Sequence, residues 1–224
     1  MLDNRLATLA AMVEPCALVA DIGTDHGYLI CHMVKNGICR HGIATDINQQ
    51  PLDKARAEIL RQGLADRIET RLTDGLTGIG PEVEAVAIAG MGGELIAQIL
   101  AAWPHHNQPG KRYYLQPMTK AEKLRQYLYE AGFAIREERC CLAAGKAYTV
   151  LAAVYTGQKI DYTPVDLWLG GIHPGQSPEA GEYCKRLAGR LETQAQGMAA
   201  GRHDPAQLAR LRQVIDEIDR RSQL

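Results

Sequence analysis

A carboxylate and two glycines follow the first apolar run of the chain. Asp21, Gly23 and Gly27 form the pattern D-x-G-x-x-x-G after the apolar residues of segment 17–22. A dinucleotide-binding turn has a glycine where Asp21 stands, because a pyrophosphate must approach the backbone there. A carboxylate at this place would repel a diphosphate and attract an ammonium group. With Thr24 in the same turn, the pattern predicts a site for a cationic ligand.

Two further acids stand at the ends of the next predicted strands. Asp46 ends the run that begins at Gly42, and Asp74-Gly75 follows the third run. Asp46 could accept both ribose hydroxyls of an adenosine, with Ile47 beside it, and Asp74-Gly75 could contact the adenine. The alternative for both acids is a turn or N-cap aspartate. Three acids at successive strand ends fit one extended adenosyl ligand, which predicts S-adenosylmethionine (SAM) as cofactor.

Small residues follow the fourth apolar run. Gly90-Met-Gly-Gly93 comes directly after segment 83–89, and its lack of bulk would let a flat base approach a methyl donor. The predicted contacts are Ala89 and Gly90 to the cofactor, and Met91 and Gly92 to the substrate. A tight turn from strand to helix is the alternative.

The elements that position these motifs alternate between strand and helix. Strands are predicted at 17–22, 42–46, 67–71, 83–89, 113–116, 133–139 and 147–155, and helices at 1–13, 29–36, 51–62, 90–102 and 119–132. Such alternation predicts an α/β fold with a doubly wound parallel sheet. The last two strands have no helix between them, which predicts an antiparallel pair. This ending is typical of the Rossmann-like seven-stranded sheet of SAM-dependent methyltransferases rather than of a dehydrogenase.

The pattern of alternating strands and helices ends near residue 157, which predicts a second domain. Residues 1–157 would form the catalytic domain and 158–224 a helical C-terminal extension. Helices are predicted at 179–200 and 205–222, on either side of a break at Gly201. An apolar stripe on the second helix predicts a coiled-coil-like hairpin; its residues are Leu208, Leu211, Ile215 and Ile218.

Composition limits the class of protein. The 224 residues carry a net charge of -1, so total charge does not predict a nucleic-acid partner, although local patches remain compatible with it. No apolar stretch predicts a signal peptide or a membrane helix, which favours a cytoplasmic protein. The six cysteines lack zinc spacing, so no metal is predicted. No feature predicts an oligomer, and a monomer is favoured.

Three segments together resemble a known family. Asp21-Ile-Gly-Thr-Asp-His-Gly-Tyr28, Ile88-Ala-Gly-Met-Gly-Gly93 and Leu115-Gln-Pro117 are similar to signatures of the bacterial TrmK family of tRNA adenine(22)-N1 methyltransferases. The resemblance extends over the whole chain, including Arg5-Leu6. The family usually has an asparagine after the glutamine-proline pair, where this chain has Met118.

The resemblance implies methyl transfer from SAM to N1 of an adenine in tRNA. N1 lies on the pairing edge of the base, so the base must be unpaired or flipped. Asp25 would stabilise the positive charge that develops on the base. Tyr28 would stack on the base, with core packing as the alternative. His26 would position the cofactor or the base, with an ordinary loop histidine as the alternative.

Cationic and polar side chains are predicted to bind the tRNA. The predicted substrate contacts are Gln116, Pro117, Met118, Lys120, Lys185 and Arg186. Further cations are predicted beside the site (Lys111, Arg112, Lys123 and Arg125) and on the extension (Arg190, Arg202, Arg210 and Arg212). The extension is expected to bind tRNA outside the reaction centre, because a polyanion requires local cations. Solvated helix surfaces are the alternative for many of them.

Three other functions compete with this hypothesis. A SAM-dependent methyltransferase could act on another RNA, a protein or a small molecule. A nicotinamide-dependent oxidoreductase would share the alternating fold, although Asp21 in the turn argues against it. A non-catalytic RNA-binding module could retain the fold without activity.

Overall fold

A computed structural model describes residues 2–200 and 204–222 of the chain. Its helices are α1 (Asn4–Met12), α2 (Tyr28–Lys35), α3 (Gln49–Arg61), α4 (Gly93–Ala102), α5 (Ala121–Glu130), α6 (Pro164–Trp168), α7 (Pro178–Ala199) and α8 (Pro205–Ser222). Its strands are β1 (Cys16–Ile22), β2 (Cys39–Asp46), β3 (Ile68–Leu72), β4 (Ala85–Gly92), β5 (Arg112–Thr119), β6 (Phe133–Ala143) and β7 (Lys146–Tyr155). The predicted break at Gly201 and the predicted cation Arg202 lie outside the described residues.

One mixed sheet has the strand order β3-β2-β1-β4-β5-β7-β6. Strands β1 to β5 pair in parallel, whereas β7 is antiparallel to both β5 and β6. The side chains of Val86, Ala87 and Ile88 in β4 are fully buried, as expected of a strand covered on both faces. The prediction of a Rossmann-like seven-stranded sheet with a closing antiparallel pair is confirmed.

Helices pack on both faces of the sheet. Leu9 of α1 and Ile30 of α2 belong to the core on one face, together with Ile59 of α3. Ile96 of α4 and Leu128 of α5 belong to the core on the other face. The chain order reverses between β1 and β4, so the carboxyl ends of these two strands border a crevice, which is where ligands bind in such sheets.

The segment after β4 differs from its predicted form. The sequence predicts a helix from residue 90, but β4 continues to Gly92 because Gly92 pairs with Thr119 of β5. Thr119 is the last residue of β5, so the helix predicted from residue 119 begins later, at Ala121. Lys120 precedes α5 instead, with a left-handed φ of 54°. A Cβ atom on Gly93 would lie 2.2 Å from the carbonyl oxygen of Lys120, so the two helix starts approach closely at a glycine.

The C-terminal helices form a third core at the β6 edge of the sheet. Its buried members include Leu169, Ile172, Cys184, Leu187, Leu191, Leu211, Val214 and Ile218. The predicted hairpin of α7 and α8 is confirmed, and the predicted stripe on α8 packs against α7. The boundary at residue 157 stays a prediction. Of the helices in residues 2–200 and 204–222, none is both long and apolar enough to span a membrane.

A buried ion pair joins this third core to the sheet. Nε of Arg125 lies 2.8 Å from Oε1 of Glu138, and the two side chains are 0% and 1% exposed. Nη1 of Arg125 also donates to the carbonyl oxygens of Leu167 and Trp168, at 2.9 and 3.2 Å. The backbone N–H of Gly171 donates to Oε2 of Glu138 at 2.7 Å. The C-terminal extension therefore supplies partners on which both buried charges depend.

Candidate active site

The turn between β1 and α2 forms the floor of the crevice. The backbone N–H groups of Gly23 and Thr24 both donate to the carbonyl oxygen of Thr45 at 2.8 Å, which fixes the turn against β2. Asp21 is 4% exposed at the end of β1. Burial raises the pKa of the Asp21 carboxyl to about 6, and a hydrogen bond from the Thr24 side chain opposes that shift. A bound cation would also lower this pKa.

Two glycines of the turn have a left-handed backbone conformation that favours glycine, and both have close neighbours. Gly23 has a φ of 75°, and a Cβ atom there would lie 2.1 Å from Cε of Met91. Gly27 has a φ of 68°, and its Cβ would lie 3.1 Å from that of Ala55 in α3. The close approach at Gly23 is made by the Met91 side chain, which joins the β1 turn to the end of β4. The predicted role of Met91 in substrate binding stays a prediction.

A cavity of about 500 Å³ opens above this turn. Predicted site residues that line it include Asp21, Asp25, His26, Tyr28, Gly90 and Met118. Asp3, Arg5 and Leu6 also line it, from the N-terminal segment and α1. Sequence reasoning assigned no site role to these three, because the apolar spacing of α1 predicts only packing. The Arg5-Leu6 pair in the family resemblance was the only signal that pointed to them.

Asp46 ends β2 beside the crevice, as predicted. Its Oδ1 accepts a hydrogen bond from the backbone N–H of Asn48 at 2.7 Å, so it supports the following turn, as the alternative interpretation held. This contact occupies one carboxylate oxygen and is compatible with ribose binding by the other. Ile47 is 64% exposed next to it. A large apolar side chain in that position could cover one face of a bound ring.

Asp74 and Gly75 do not line the cavity that contains Asp21. They line a second cavity of about 650 Å³, together with Leu95 and Ile99 of α4. Gly75 has a φ of 54°, and a Cβ there would lie 3.1 Å from Cγ2 of Ile99. The predicted adenine contacts thus border a different cavity from Asp21. A ligand that reaches both must be extended.

Asp25, His26 and Tyr28 form a cluster at the first cavity. Oδ2 of Asp25 lies 3.3 Å from Nε2 of His26, and its Oδ1 lies 3.8 Å from Nζ of Lys54. The His26 and Tyr28 rings are parallel within 4°, with their centroids 5.2 Å apart. A base between the rings would need two contact distances of about 3.5 Å. A base can therefore stack on an outer face of this pair but cannot enter between the rings as they stand.

Gln116 connects three segments beneath the cavity. It is fully buried, and its Oε1 accepts from the backbone N–H of Gly90 at 3.2 Å and from Nη1 of Arg5 at 2.9 Å. Its Nε2 donates to the carbonyl oxygen of Pro117 at 2.9 Å. Gln116 therefore positions the end of β4. Since its side chain is buried, Gln116 would affect a substrate through that part of the strand, and direct contact stays a prediction.

Three cations predicted beside the site lie elsewhere. Lys111 is 4% exposed, and its Nζ donates to two backbone carbonyl oxygens of the 81–83 segment. Arg112 begins β5 and pairs with Glu14 at 3.2 Å. Both stand at the amino end of β5, away from the crevice, and Arg125 is buried in its ion pair. These three predictions are wrong because strand direction and burial decide where a cation points.

The remaining predicted tRNA contacts are on the surface. Lys120 pairs with Glu94, and Lys185 is exposed on α7. Arg186 pairs with Glu182 and also donates to the backbone carbonyl oxygen of Gly145 in the β6–β7 turn. The Arg186 side chain thus makes contacts within the protein, whereas the exposed Lys185 side chain is accessible to a bound partner. Their roles in tRNA binding stay predictions.

The part of the chain that the structure describes contains no cluster of side chains that could bind a metal ion. No three His, Cys, Asp or Glu side chains in that part are grouped to hold an ion. The six cysteines are free. Sγ of Cys16 lies 3.1 Å from Sγ of Cys39 at the amino ends of β1 and β2, far along the sheet from the crevice.

Comparison with known proteins decides the family. Residues 2–151 match the model of a methyltransferase domain. Over 170 residues, 75% of this chain and 71% of the relative, the sequence is 37% identical to the tRNA (adenine(22)-N(1))-methyltransferase of Bacillus subtilis (strain 168). The chain belongs to the TrmK family of methyltransferases. The predicted resemblance is thereby confirmed, and the oxidoreductase alternative is wrong.

Solved structures of TrmK proteins share the fold over nearly the whole chain. The B. subtilis m1A22 tRNA methyltransferase TrmK has a TM-score of 0.82 at 27% identity, covering 98% of this chain and 96% of that one. Streptococcus pneumoniae Sp1610, solved in complex with S-adenosyl-L-methionine, has a TM-score of 0.84 at 29% identity, covering 97% and 99%. The likeness includes the C-terminal helices, so they belong to the TrmK architecture.

Proposed function

We propose that this protein transfers a methyl group from SAM to N1 of adenine 22 in tRNA. The observation that carries the proposal is the buried Asp21 carboxylate at the base of a cavity after β1. It stands in a chain 37% identical to an enzyme named for this reaction. A buried carboxylate without a cationic partner destabilises the folded protein, whereas an ammonium ligand offsets the effect of burial. Asp21 is therefore suited to the amino acid half of SAM.

The crevice fits the remainder of the cofactor. Asp46 would accept hydrogen bonds from the ribose hydroxyls, with Ile47 over the ring, and Asp74-Gly75 would contact the adenine. Asp21 and Asp74 line two different cavities, of about 500 and 650 Å³, so an adenosyl ligand would have to be extended to contact both. Ala89 and Gly90 would border the sulfonium. When bound, SAM supplies an electrophilic methyl group.

The protein's own groups would orient the base and exclude water. The N1 lone pair of adenine can attack directly, so a strong general base is not required. Alignment can supply on the order of 7–11 kcal/mol of rate acceleration. Tyr28, which is 39% exposed, would stack on the flipped base through the outer face of its pair with His26. Asp25 would stabilise the cationic product, although Lys54 at 3.8 Å reduces the net negative charge there.

The groove between α5 and the extension supports a role in tRNA binding. It has a volume of about 770 Å³ and is lined by Lys123 of α5, Trp168 of α6 and Arg210 of α8. Cζ of Arg190 lies 5.6 Å from the centre of the Trp168 ring. Cations around an aromatic side chain suit an RNA backbone and an unstacked base. Lys120 and Lys185 would extend this surface, with Met91, Gly92 and Met118 nearer the base.

We further propose that the protein is cytoplasmic, since its substrate would be tRNA, and that it acts as a monomer. The alternative is a TrmK-fold methyltransferase that acts on another RNA, a protein or a small molecule.

A methylation assay with labelled SAM, unmodified tRNA and the purified protein distinguishes these possibilities. The expected product carries one label per tRNA as N1-methyladenosine at position 22, found by mass mapping. Label at another position, or none in tRNA, would contradict the proposal.

A further inference from the structure

Two of the six cysteines stand directly opposite each other in the sheet. Cys16 is the first residue of β1 and Cys39 is the first residue of β2, and the parallel register pairs them. Both side chains belong to the same core, on one face of the sheet. Their sulfur atoms are in contact, 3.1 Å apart. The proposed methyl transfer makes no use of this pair, because the crevice lies at the other ends of the strands.

The strand pairing meets the geometric requirement of a disulfide. Neighbouring strands lie about 4.7–4.9 Å apart, and disulfides join residues whose Cα atoms are about 4.4–6.8 Å apart. Cys16 and Cys39, which are free thiols in the structure, can therefore be bridged without a change of register. Cys140 and Cys141 are successive residues of β6, so their side chains point to opposite faces of the sheet.

Cys16 has the surroundings of a reactive thiol. It is 8% exposed, against 1% for Cys39, so it is the more accessible of the two. Nη1 of Arg112 donates to the carbonyl oxygen of Pro15 at 3.1 Å, which places a positive charge beside the start of β1. The hydrogen bond with Cys39 lowers the pKa of the Cys16 thiol, burial opposes this shift, and Arg112 adds to it. The thiolate is the form of cysteine that attacks an oxidant.

We propose that Cys16 and Cys39 are an oxidation site, at which a hydroperoxide forms a reversible disulfide. The Cys16 thiolate attacks the peroxide and the O–O bond breaks, which leaves a sulfenic acid on Cys16 and a hydroxide that takes up a proton. Cys39 then attacks the Cys16 sulfur, the S–O bond breaks, and the departing hydroxide takes the Cys39 proton. Two thiols are thus oxidised while one hydrogen peroxide is reduced to two waters. A thiol reductant reverses the bond by exchange.

The bond would close the segment that carries the turn after β1. Cys16 and Cys39 are 23 positions apart, and β1, the turn with Asp21 and α2 lie between them. A cross-link between the ends of this segment restricts the unfolded chain and so stabilises the folded one. The inference does not depend on the proposed methyl transfer, because the bond and its effect on stability can be measured without substrate.

Peptide mapping of the full chain tests the proposal. Reduced protein, freed of reductant, is treated with one equivalent of hydrogen peroxide, unfolded in an alkylating reagent, cut with trypsin and analysed by mass spectrometry. Cleavage after Lys35 separates the two cysteines, so the disulfide is expected as a cross-linked pair of peptides containing Cys16 and Cys39. Dithiothreitol should abolish this cross-link. The melting temperature of the oxidised chain should exceed that of the reduced chain by about 5–10 °C.

Variants identify the two sulfur atoms. Cys31 lies on the same tryptic peptide as Cys16, so Cys31→Ala is the matched control and should keep both the cross-link and the rise in melting temperature. Cys16→Ala and Cys39→Ala should each lose both. Fragmentation of the cross-linked wild-type peptides identifies the same two residues if neither variant folds.

Three outcomes would overturn the proposal. Cys140 is the most exposed of the six cysteines, and a disulfide to Cys140 in place of the Cys16–Cys39 bond would show that exposure rather than strand pairing decides the reaction. Alkylation of all six thiols after peroxide treatment would show that no disulfide forms. A lower melting temperature in the oxidised chain would show that the bond distorts the two strands.

Discussion

At the residue scale, the burial of Asp21 lowers the stability of the folded protein and favours the binding of a ligand with an ammonium group. Burial raises the pKa of its carboxyl to about 6 in the folded chain, from an ordinary value of 3.8. A raised folded-state pKa destabilises the protein above pH 6, and this effect disappears as the pH falls towards 4. The ligand's ammonium group favours the ionised carboxylate. Binding should therefore be strongest above pH 6 and weaken below it.

Asp21→Asn separates these two effects. It removes a buried charge, so it should raise the free energy of unfolding at pH 7 by up to about 3 kcal/mol. The gain should shrink as the pH approaches 4. The same variant should lose S-adenosylhomocysteine binding. Denaturant unfolding and calorimetry between pH 4 and 8 measure both, and a variant less stable than the wild type at pH 7 would contradict the argument.

Tyr28 can be tested apart from cofactor binding. Tyr28→Ala should lower the methylation of tRNA by about tenfold to a hundredfold, because base stacking contributes about 1–3 kcal/mol. Binding of S-adenosylhomocysteine should change little. Tyr28→Phe keeps the ring and should retain most activity. Full activity in the alanine variant would show that the ring does not touch the base.

The sequence could predict Asp21 and its turn, because strand-end acids and glycines are local signals. It could not predict Arg5 as a lining residue, since its place in the cavity depends on how α1 packs against β5. Lys111 is the opposite case, because the sequence predicts it beside the site and the structure places it elsewhere. A lysine beside a predicted strand looks exposed, yet it is buried over the Trp103 ring, at 5.0 Å from the ring centre. Side-chain direction at a strand end depends on contacts distant in sequence.

At the element scale, the periodicity of the chain predicts its main strands and helices, but tertiary pairing sets their ends. β4 and β5 both extend beyond their predicted ends because they pair with each other. The short helix α6 was not predicted. Its local signal is the Thr163-Pro-Val-Asp166 capping box, whose hydrogen bonds are present. An apolar pattern cannot be recognised over so few residues.

The strained backbone at Lys120 predicts a trade-off. Lys120 and Ala144 are the two non-glycine residues with positive φ in the described chain, at 54° and 48°. Glycine relieves such strain, so Lys120→Gly and Ala144→Gly should each stabilise the protein by roughly 0.5–1 kcal/mol. Only Lys120→Gly should weaken tRNA binding. Thermal unfolding and a gel-shift titration check this, and equal tRNA affinity in the two variants would remove Lys120 from the binding surface.

At the scale of the whole molecule, the extension and the sheet depend on each other. Arg125→Met leaves Glu138 buried without its partner and should destabilise the protein by about 3–5 kcal/mol. Arg136→Met, an exposed position on β6, should have little effect. Thermal unfolding provides the comparison. Deletion of 158–224 should also lower the melting temperature, so the extension's role in tRNA binding must be tested in the full chain.

Charge reversal in the α5–extension groove provides that test. Lys123→Glu with Arg210→Glu should weaken tRNA binding and flatten its salt dependence, by roughly one unit of the log–log slope for each lost phosphate contact. S-adenosylhomocysteine binding should not change. Lys35→Glu with Arg40→Glu, at exposed positions outside the groove, is the matched control. Equal slopes for the two double variants would exclude the groove as a tRNA surface.

The docking of α1 has a consequence for the protein during its synthesis. Nδ2 of Asn4 donates to the carbonyl oxygen of Leu142 at 2.9 Å, and α1 packs on β6 and β7. Asn4 and Leu142 are 138 residues apart in sequence, so α1 is synthesised long before these two strands can cover its apolar face. The cavity that Arg5 and Leu6 of α1 line would therefore be complete only after β6 and β7 have been made.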